Sequence, residues 1–280
     1  MPEGQVSHRN AVRLTAALAR AALVRIDAPQ PRVVPQRIPE RLAGDAIERV
    51  DAVGKHHLLR FVSGRVLHSH LGMVGSWRLL TATSPIPQRN LWLALWTETH
   101  VAAQYGGPRL RLYEPGEPIP GIASVGPDLL NDTLDSGRMA ATRLLGLDPD
   151  RTVGEALMDQ RVMAGIGNIV RSETLFLCGI GPWRRIGDLT HDQAHMIGTT
   201  ASRMLADGVV EGGRITTYRS ANPRSRERTW VYGRSGRPCR RCRMPIRSRG
   251  MGDANRTVYW CPACQPTDGR LTITPKTRTR

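Results

Sequence analysis

The 280-residue chain has no apolar run approaching the roughly 18–20 residues of a membrane span, and no signal-peptide pattern leads it. Membrane-spanning helices are excluded, and the cytoplasm is the expected location. Lysine is almost missing. Of 40 basic residues only Lys55 and Lys276 are lysine, and 38 are arginine. Genome base composition accounts for arginine preference as readily as function does. It still singles out Lys55, whose compact ammonium does chemistry that an always-charged guanidinium cannot. Cysteine is also sparse: four of the five stand in two tight pairs. In a reducing compartment, paired cysteines read as metal ligands before disulfides.

Charge is present in excess and concentrated. From Arg214 to Arg280 there are 17 basic residues against Glu227, Asp253 and Asp268, a net of +14 out of +16 for the whole chain. One-sided charge of this size attracts a polyanion. No basic amphipathic helix with bulky apolar residues lies in that stretch, so nucleic acid is favoured over a membrane surface.

The chain is long enough for two medium domains and a small module. Apolar residues at helical spacing (Val12, Leu14, Leu18, Ala22) predict an amphipathic helix within residues 7–24. From Val33 to about Tyr113 the pattern becomes short β-rich runs, such as Leu91-Trp-Leu-Ala-Leu-Trp96, separated by Gly, Pro and Ser turns. That predicts an antiparallel sandwich or barrel. Glu114-Pro-Gly-Glu-Pro-Ile-Pro-Gly121 reads as a linker, after which the chain turns helical until about Gly208. Thr190 with Gln193 three residues on is a capping-box helix start. Ala164-Gly-Ile-Gly-Asn168 delivers the chain to a helix running from Asn168 to about Phe176, and helix N-termini suit phosphate.

The most specific motif is Cys239-Arg-Arg-Cys242 followed, 18 residues later, by Cys261-Pro-Ala-Cys264. This is the spacing of a four-thiolate zinc ribbon. With four cysteine ligands no position stays open for water, so one structural Zn2+ is expected to hold a hairpin too small to bury its own core. Arg247, Arg249 and Arg256 lie on that hairpin. Cys178 is left over, expected as a small buried residue.

The chain begins Met-Pro-Glu-Gly. Removal of Met1 is usual before a small residue and would leave Pro2 as a free secondary amine beside the Glu3 carboxyl. An α-amino group has a pKa of roughly 7.7–8.0, so part of it is neutral and nucleophilic near pH 7. Taken alone, this is an ordinary trimmed terminus.

In order, Met1-Pro-Glu-Gly4, Gly54-Lys-His56, His70-Leu-Gly-Met73, Asp159-Gln-Arg-Val-Met-Ala-Gly-Ile-Gly-Asn168, Val231-Tyr-Gly-Arg-Ser-Gly-Arg-Pro-Cys239 and Arg256-Thr-Val-Tyr-Trp-Cys-Pro-Ala-Cys-Gln265 resemble the formamidopyrimidine-DNA glycosylase/endonuclease VIII family over nearly the whole length. The resemblance implies an α+β multi-domain fold: an N-terminal β-sandwich with an N-terminal helix (1–121), a helix–two-turn–helix domain (122–229) and a zinc-finger hairpin (230–268). A basic tail (269–280) follows, and damaged DNA binds between the domains. A monomer is expected.

The resemblance further implies a bifunctional glycosylase/AP lyase of base excision repair. Pro2 is its nucleophile toward a sugar C1′, and Glu3 its proton shuttle. Lys55 and Arg256 assist on the phosphates, and Asn168 holds DNA phosphate. Met73 is the apolar wedge that fills the gap left by a flipped nucleotide. The purine-type members carry an Asp-Pro-Arg-Arg-Phe-Gly wedge loop, whereas this chain has Gln104-Tyr-Gly-Gly-Pro-Arg-Leu-Arg111 in that neighbourhood. The endonuclease VIII-like branch and oxidised pyrimidines are therefore expected. A purine-type glycosylase and a non-catalytic zinc-finger DNA-binding protein are the alternatives.

Overall fold

The computed structural model describes residues 2–131, 135–221 and 227–266, so the basic tail of 269–280 lies outside the described residues. The chain divides into two units, Met1–Ser124 and Val125–Arg280. The division falls just past the Pro/Gly stretch that ends at Gly121.

In the first unit, helix α1 (Gly4–Leu18) precedes strand β1 (Arg25–Asp27), a short helix α2 (Ile38–Arg41) and seven further strands. These are β2 (Ile47–Val53), β3 (His56–Phe61), β4 (Val66–His70), β5 (Ser76–Thr81), β6 (Leu91–Trp96), β7 (His100–Tyr105) and β8 (Arg109–Tyr113). They form two antiparallel four-stranded sheets, ordered β1-β6-β7-β5 and β2-β3-β4-β8. The expected sandwich is present.

Its core joins Leu14 and Leu18 of α1 to Val50, Leu59, Phe61, Leu67, Trp92 and Leu95. All six residues of β6 are buried. A second cluster, in which Leu91, Ala94 and Trp96 pack with Val101, Ala103 and Tyr105, covers its other face. That is why β6 reads as a continuous apolar run rather than an alternating one.

Helix α1 differs from its sequence expectation at both ends. It begins at Gly4 and stops at Leu18, because Ala19 is extended and Arg20 enters the left-handed region at φ +65°. The buried stripe runs through Ser7, Ala11, Leu14 and Leu18, leaving Val12 exposed. Its N-terminal half buries polar side chains, namely Gln5, Ser7 and Asn10. The short helix α2 was hidden within the β-rich pattern, and Pro39 in its first turn was the available signal.

The second unit holds α3 (Ser136–Leu145), α4 (Val153–Ala156), α5 (Asn168–Leu177) and α6 (His191–Val210), then a hairpin of β9 (Arg247–Met251) and β10 (Arg256–Trp260). The capping box forms as expected: Gln193 N donates to Thr190 Oγ1 at 3.2 Å and Thr190 N to Gln193 Oε1 at 3.1 Å. Leu144, Leu157, Met163, Ile166, Val170, Leu175, Ile197 and Leu205 build the helical core. Val231, Cys239, Ile246, Cys261 and Cys264 pack on Phe176 of α5, so the hairpin borrows the helical domain for its apolar contact.

Candidate active site

Pro2 is half-buried and immediately precedes α1. Glu3 is the N-cap residue, fully buried, and its carbonyl accepts from Val6 N at 3.0 Å. The positive end of α1 therefore lies against both residues, a setting that favours a neutral over a protonated amine. Helix α1 is tied to the sheet by Asn10, whose Nδ2 lies 3.4 Å from His57 Nε2, and by Thr15 Oγ1, which donates to Val50 O at 3.2 Å.

Lys55 sits with Gly54 in the two-residue turn that joins β2 to β3, where Val53 pairs with His56. Gly54 has φ +57° at the first turn position, which a tight hairpin of this kind demands. Next to it, His56, His70 and Arg109 lie side by side on adjacent strands. His56 Nδ1 is 2.8 Å from His68 Nε2. Burial, with His70 beside it, holds His56 down to about 3, and burial holds His57 to about 3 and His68 to about 4. His70 is also lowered, by burial and then by Lys55 and Arg109. These imidazoles are therefore neutral at neutral pH.

Met73 follows at the same end of the sheet, on the turn between β4 and β5. It is 63% exposed and its neighbour Val74 83%. The turn is rigid: Gly72, at φ +60°, would place an added methyl 2.7 Å from Pro108 Cδ, and Gly75 one 2.5 Å from Leu71 O. Two apolar side chains thus project from a platform that cannot give. A cavity of about 600 Å³ opens beside it, lined by Leu71, Met73, Asn90, Trp92 and Gly107 among others.

In the second unit, Gln160 moulds the glycine turn. Its Oε1 accepts from Gly165 N at 3.2 Å and its Nε2 donates to Ile166 O at 2.9 Å. Asp159 is held well below the carboxylate range by hydrogen bonds from Arg161, with Arg151 also bonded to it. Asn168 opens α5, and Gly167 at the N-cap brings no side chain across the first amides. Asn168 Nδ2 donates to Thr257 O at 2.7 Å, which places it beside Arg256, whose side chain is exposed on β10. The fold thus brings together two of the expected phosphate-binding residues, 88 positions apart in the numbering.

The sulfur atoms of Cys239, Cys242, Cys261 and Cys264 lie within 4.8 Å of one another. Cys239–Cys264, Cys242–Cys261 and Cys242–Cys264 are 3.9, 3.4 and 3.5 Å apart. A tetrahedral ion with metal–sulfur bonds of about 2.3 Å sets its ligands ~3.8 Å apart, so the donor set fits one. Hydrogen bonding with Cys261 draws the Cys239 thiol down to about 4, the same contact drives Cys261 up, and burial drives Cys264 up to about 12. Crowded thiols ionise together only around a cation.

Residues 1–113 match the formamidopyrimidine-DNA glycosylase N-terminal domain, and residues 125–220 the formamidopyrimidine-DNA glycosylase H2TH domain. A probable endonuclease 8 2 from Streptomyces coelicolor is 37% identical over 270 residues, covering 95% of this chain and 94% of that protein. The chain belongs to the formamidopyrimidine-DNA glycosylase family.

This glycosylase-family chain is also 37% identical, over 265 residues, to the DNA-(apurinic or apyrimidinic site) lyase Nei2 of Mycolicibacterium smegmatis, covering 95% of this chain and 99% of that one. In fold it resembles the formamidopyrimidine-DNA glycosylase of Lactococcus lactis, solved bound non-covalently to DNA containing an AP site. The TM-score is 0.78 at 22% identity, over 94% of this chain and 99% of that one. Among the described residues of the glycosylase-family chain, no helix is long and apolar enough to cross a membrane.

Sequence reasoning missed three residues that shape the second unit: Gln160, Arg171 and Glu173. Arg171 and Glu173 stand fully buried on α5. The signal was there, as charged residues inside an otherwise apolar helix.

Proposed function

We propose that the chain is a bifunctional DNA glycosylase/AP lyase of base excision repair, acting on oxidised pyrimidines in damaged DNA. The observation that carries the reading is the placement of Pro2 and buried Glu3 at the N-terminal end of a helix anchored in the sandwich core.

With Met1 removed, the Pro2 nitrogen attacks C1′ of the damaged nucleotide. An N–C1′ bond forms, the glycosidic bond breaks, and the base leaves with its electron pair and a proton. The nitrogen lone pair then expels the ring oxygen O4′ to give an iminium, and Glu3 supplies the proton that O4′ takes up. The iminium acidifies the C2′ proton; its loss expels the 3′ phosphate, and a second elimination through C4′ releases the 5′ phosphate. Water then returns the Pro2 amine.

Lys55, on the tip of its two-residue turn, meets phosphate beside the lesion. Asn168 and Arg256 grip the backbone, and the basic region of the second unit supplies salt-sensitive affinity. One zinc ion held by Cys239, Cys242, Cys261 and Cys264 fixes the hairpin that carries Arg256; its chemistry is structural.

The pyrimidine assignment is supported by the turn between β7 and β8. Gly107 there packs so closely that an added methyl would lie 2.8 Å from His70 O. A wedge loop of the Asp-Pro-Arg-Arg-Phe-Gly kind has no counterpart at this turn, and Met73 carries the wedging.

Borohydride trapping on abasic-site DNA, with the mature N-terminus verified by mass, tests the reading. The processed chain is expected to trap covalently, and Pro2→Gly or a blocked amine to lose most of the adduct. Absence of trapping under conditions where DNA binds would overturn it. Faster release from 8-oxoguanine duplex than from oxidised-pyrimidine duplex would overturn the substrate assignment.

A further inference from the structure

We propose that Arg171 is a positioning residue that fixes Asn168 and the strand bearing Arg256 as one phosphate-binding unit. The inference rests on the DNA-binding part of the function proposed above.

Arg171 is 1% exposed and heads the largest fully buried side chains. Its Nη2 donates both to Asn168 Oδ1 and, at 3.0 Å, to Arg256 O; Nη1 donates to Gly154 O at 3.3 Å. A guanidinium only donates, so Asn168 must turn Oδ1 toward it. The Thr257 carbonyl only accepts, so Asn168 must turn Nδ2 toward that side, where the bond is 2.7 Å. Both neighbours demand the same amide orientation. Nδ2 has a second N–H beyond the one given to Thr257, and Asn168 keeps 8% exposure through which to offer it.

The same guanidinium holds the carbonyl of Arg256, and so fixes where that exposed side chain starts. One position on, Ser172 Oγ accepts from Tyr259 N at 3.4 Å and donates to Asn168 O at 2.9 Å. Side chains from one turn of α5 therefore bond the β10 backbone at residues 256, 257 and 259. A buried cation is an expensive way to join a helix to a strand; apolar packing does that at less desolvation cost. What an apolar residue cannot do is orient an amide and a carbonyl together.

The test uses duplex DNA carrying a tetrahydrofuran abasic analogue, titrated across a range of salt with the full-length zinc-loaded protein. Arg171→Met is expected to weaken binding at least tenfold. It is also expected to flatten the slope of log K against log salt by about 0.9, the value of one lost phosphate contact. Because Arg171 acts through Asn168, the double variant with Asn168→Ala is expected to bind as Arg171→Met does alone. Arg171→Lys, with reach to one acceptor, recovers part of the loss.

Glu173→Gln, on the same helix and equally buried, is the comparison for general destabilisation and is expected to leave the salt slope unchanged. Additive losses in the double variant, an unchanged slope in Arg171→Met, or the same slope change in Glu173→Gln would each overturn the proposal. If Arg171→Met does not fold, the cycle of Arg171→Lys with Asn168→Ala reads the same coupling. A wild-type chain that binds this DNA yet traps nothing with borohydride removes the lyase reading and leaves this one intact.

Discussion

The Glu173 side chain, fully buried in α5, accepts the backbone N–H of Trp230 at 2.8 Å. It takes Val231 N and Tyr232 N at 2.8 Å as well, together with the Thr217 hydroxyl. One carboxyl thus gathers the segment that leads into the first cysteine pair. Tyr218 meets Trp230 edge-on, and Arg240 stacks over Tyr218 at 3.6 Å.

Replacing Glu173 by Gln puts an N–H donor where backbone donors converge. At about 1–3 kcal/mol per unsatisfied buried group, the expected loss is about 2–4 kcal/mol. Urea denaturation of the two proteins checks it, and an unchanged midpoint would show that the segment is held by other contacts.

Removal of metal is expected to act on the second unit. Chelation should release one zinc per chain, expose four reactive thiols and lower DNA affinity, because the hairpin buries few apolar residues of its own. Cys242→Ser should bring the same state without chelator. Metal release followed with a chromogenic chelator, alongside thiol titration, gives both counts.

Acid is expected to weaken the first unit. His57 is held to about 3, against an ordinary value of 6.5, by burial. The folded protein therefore binds fewer protons than the unfolded chain between those values. The stability this contributes is whole above pH 6.5 and drains as pH falls toward the folded value. Over the middle of that range, His57→Asn should flatten the dependence by about 1.4 kcal/mol per pH unit, with His56 and His68 supplying similar contributions. Denaturation midpoints from pH 7.5 to about 4.5 measure it.

Met73→Ala is expected to separate two activities. Excision of an intact damaged base requires the nucleotide to leave the stack, whereas a preformed abasic site has no base to displace. Single-turnover base release should therefore fall about tenfold or more, while cleavage at an abasic site is largely kept. Gly72→Ala should reduce base release too, and cost about 1–3 kcal/mol in stability, because its methyl meets Pro108 at a left-handed position. Equal losses in both assays would remove the wedge role.

Much of this architecture was legible in the chain. The capping box at Thr190, the helix from Asn168 and the strand Leu91–Trp96 follow from local chemistry, and the structure places them there. The cysteine spacing led to a cluster of four sulfurs. Helix α1 was less legible because its buried face is partly polar at Gln5, Ser7 and Asn10, and apolar periodicity looks past such positions. Arg171 and Glu173 escaped for a different reason. Their partners are backbone groups at positions 256 and 230–232, and main-chain carbonyls and amides carry no residue-type signal for a sequence to show.

Chain ends are ordinarily the loosest parts of a protein, frayed and indifferent to added residues. This one is the reverse at its start, where Glu3, Gly4 and Gln5 are already buried and α1 begins at the fourth residue. A fusion or affinity handle placed before Pro2 would have to leave through a packed wall, and purification handles belong at the other end. The first residues move with the sandwich, so the terminus is as stiff as the core behind it.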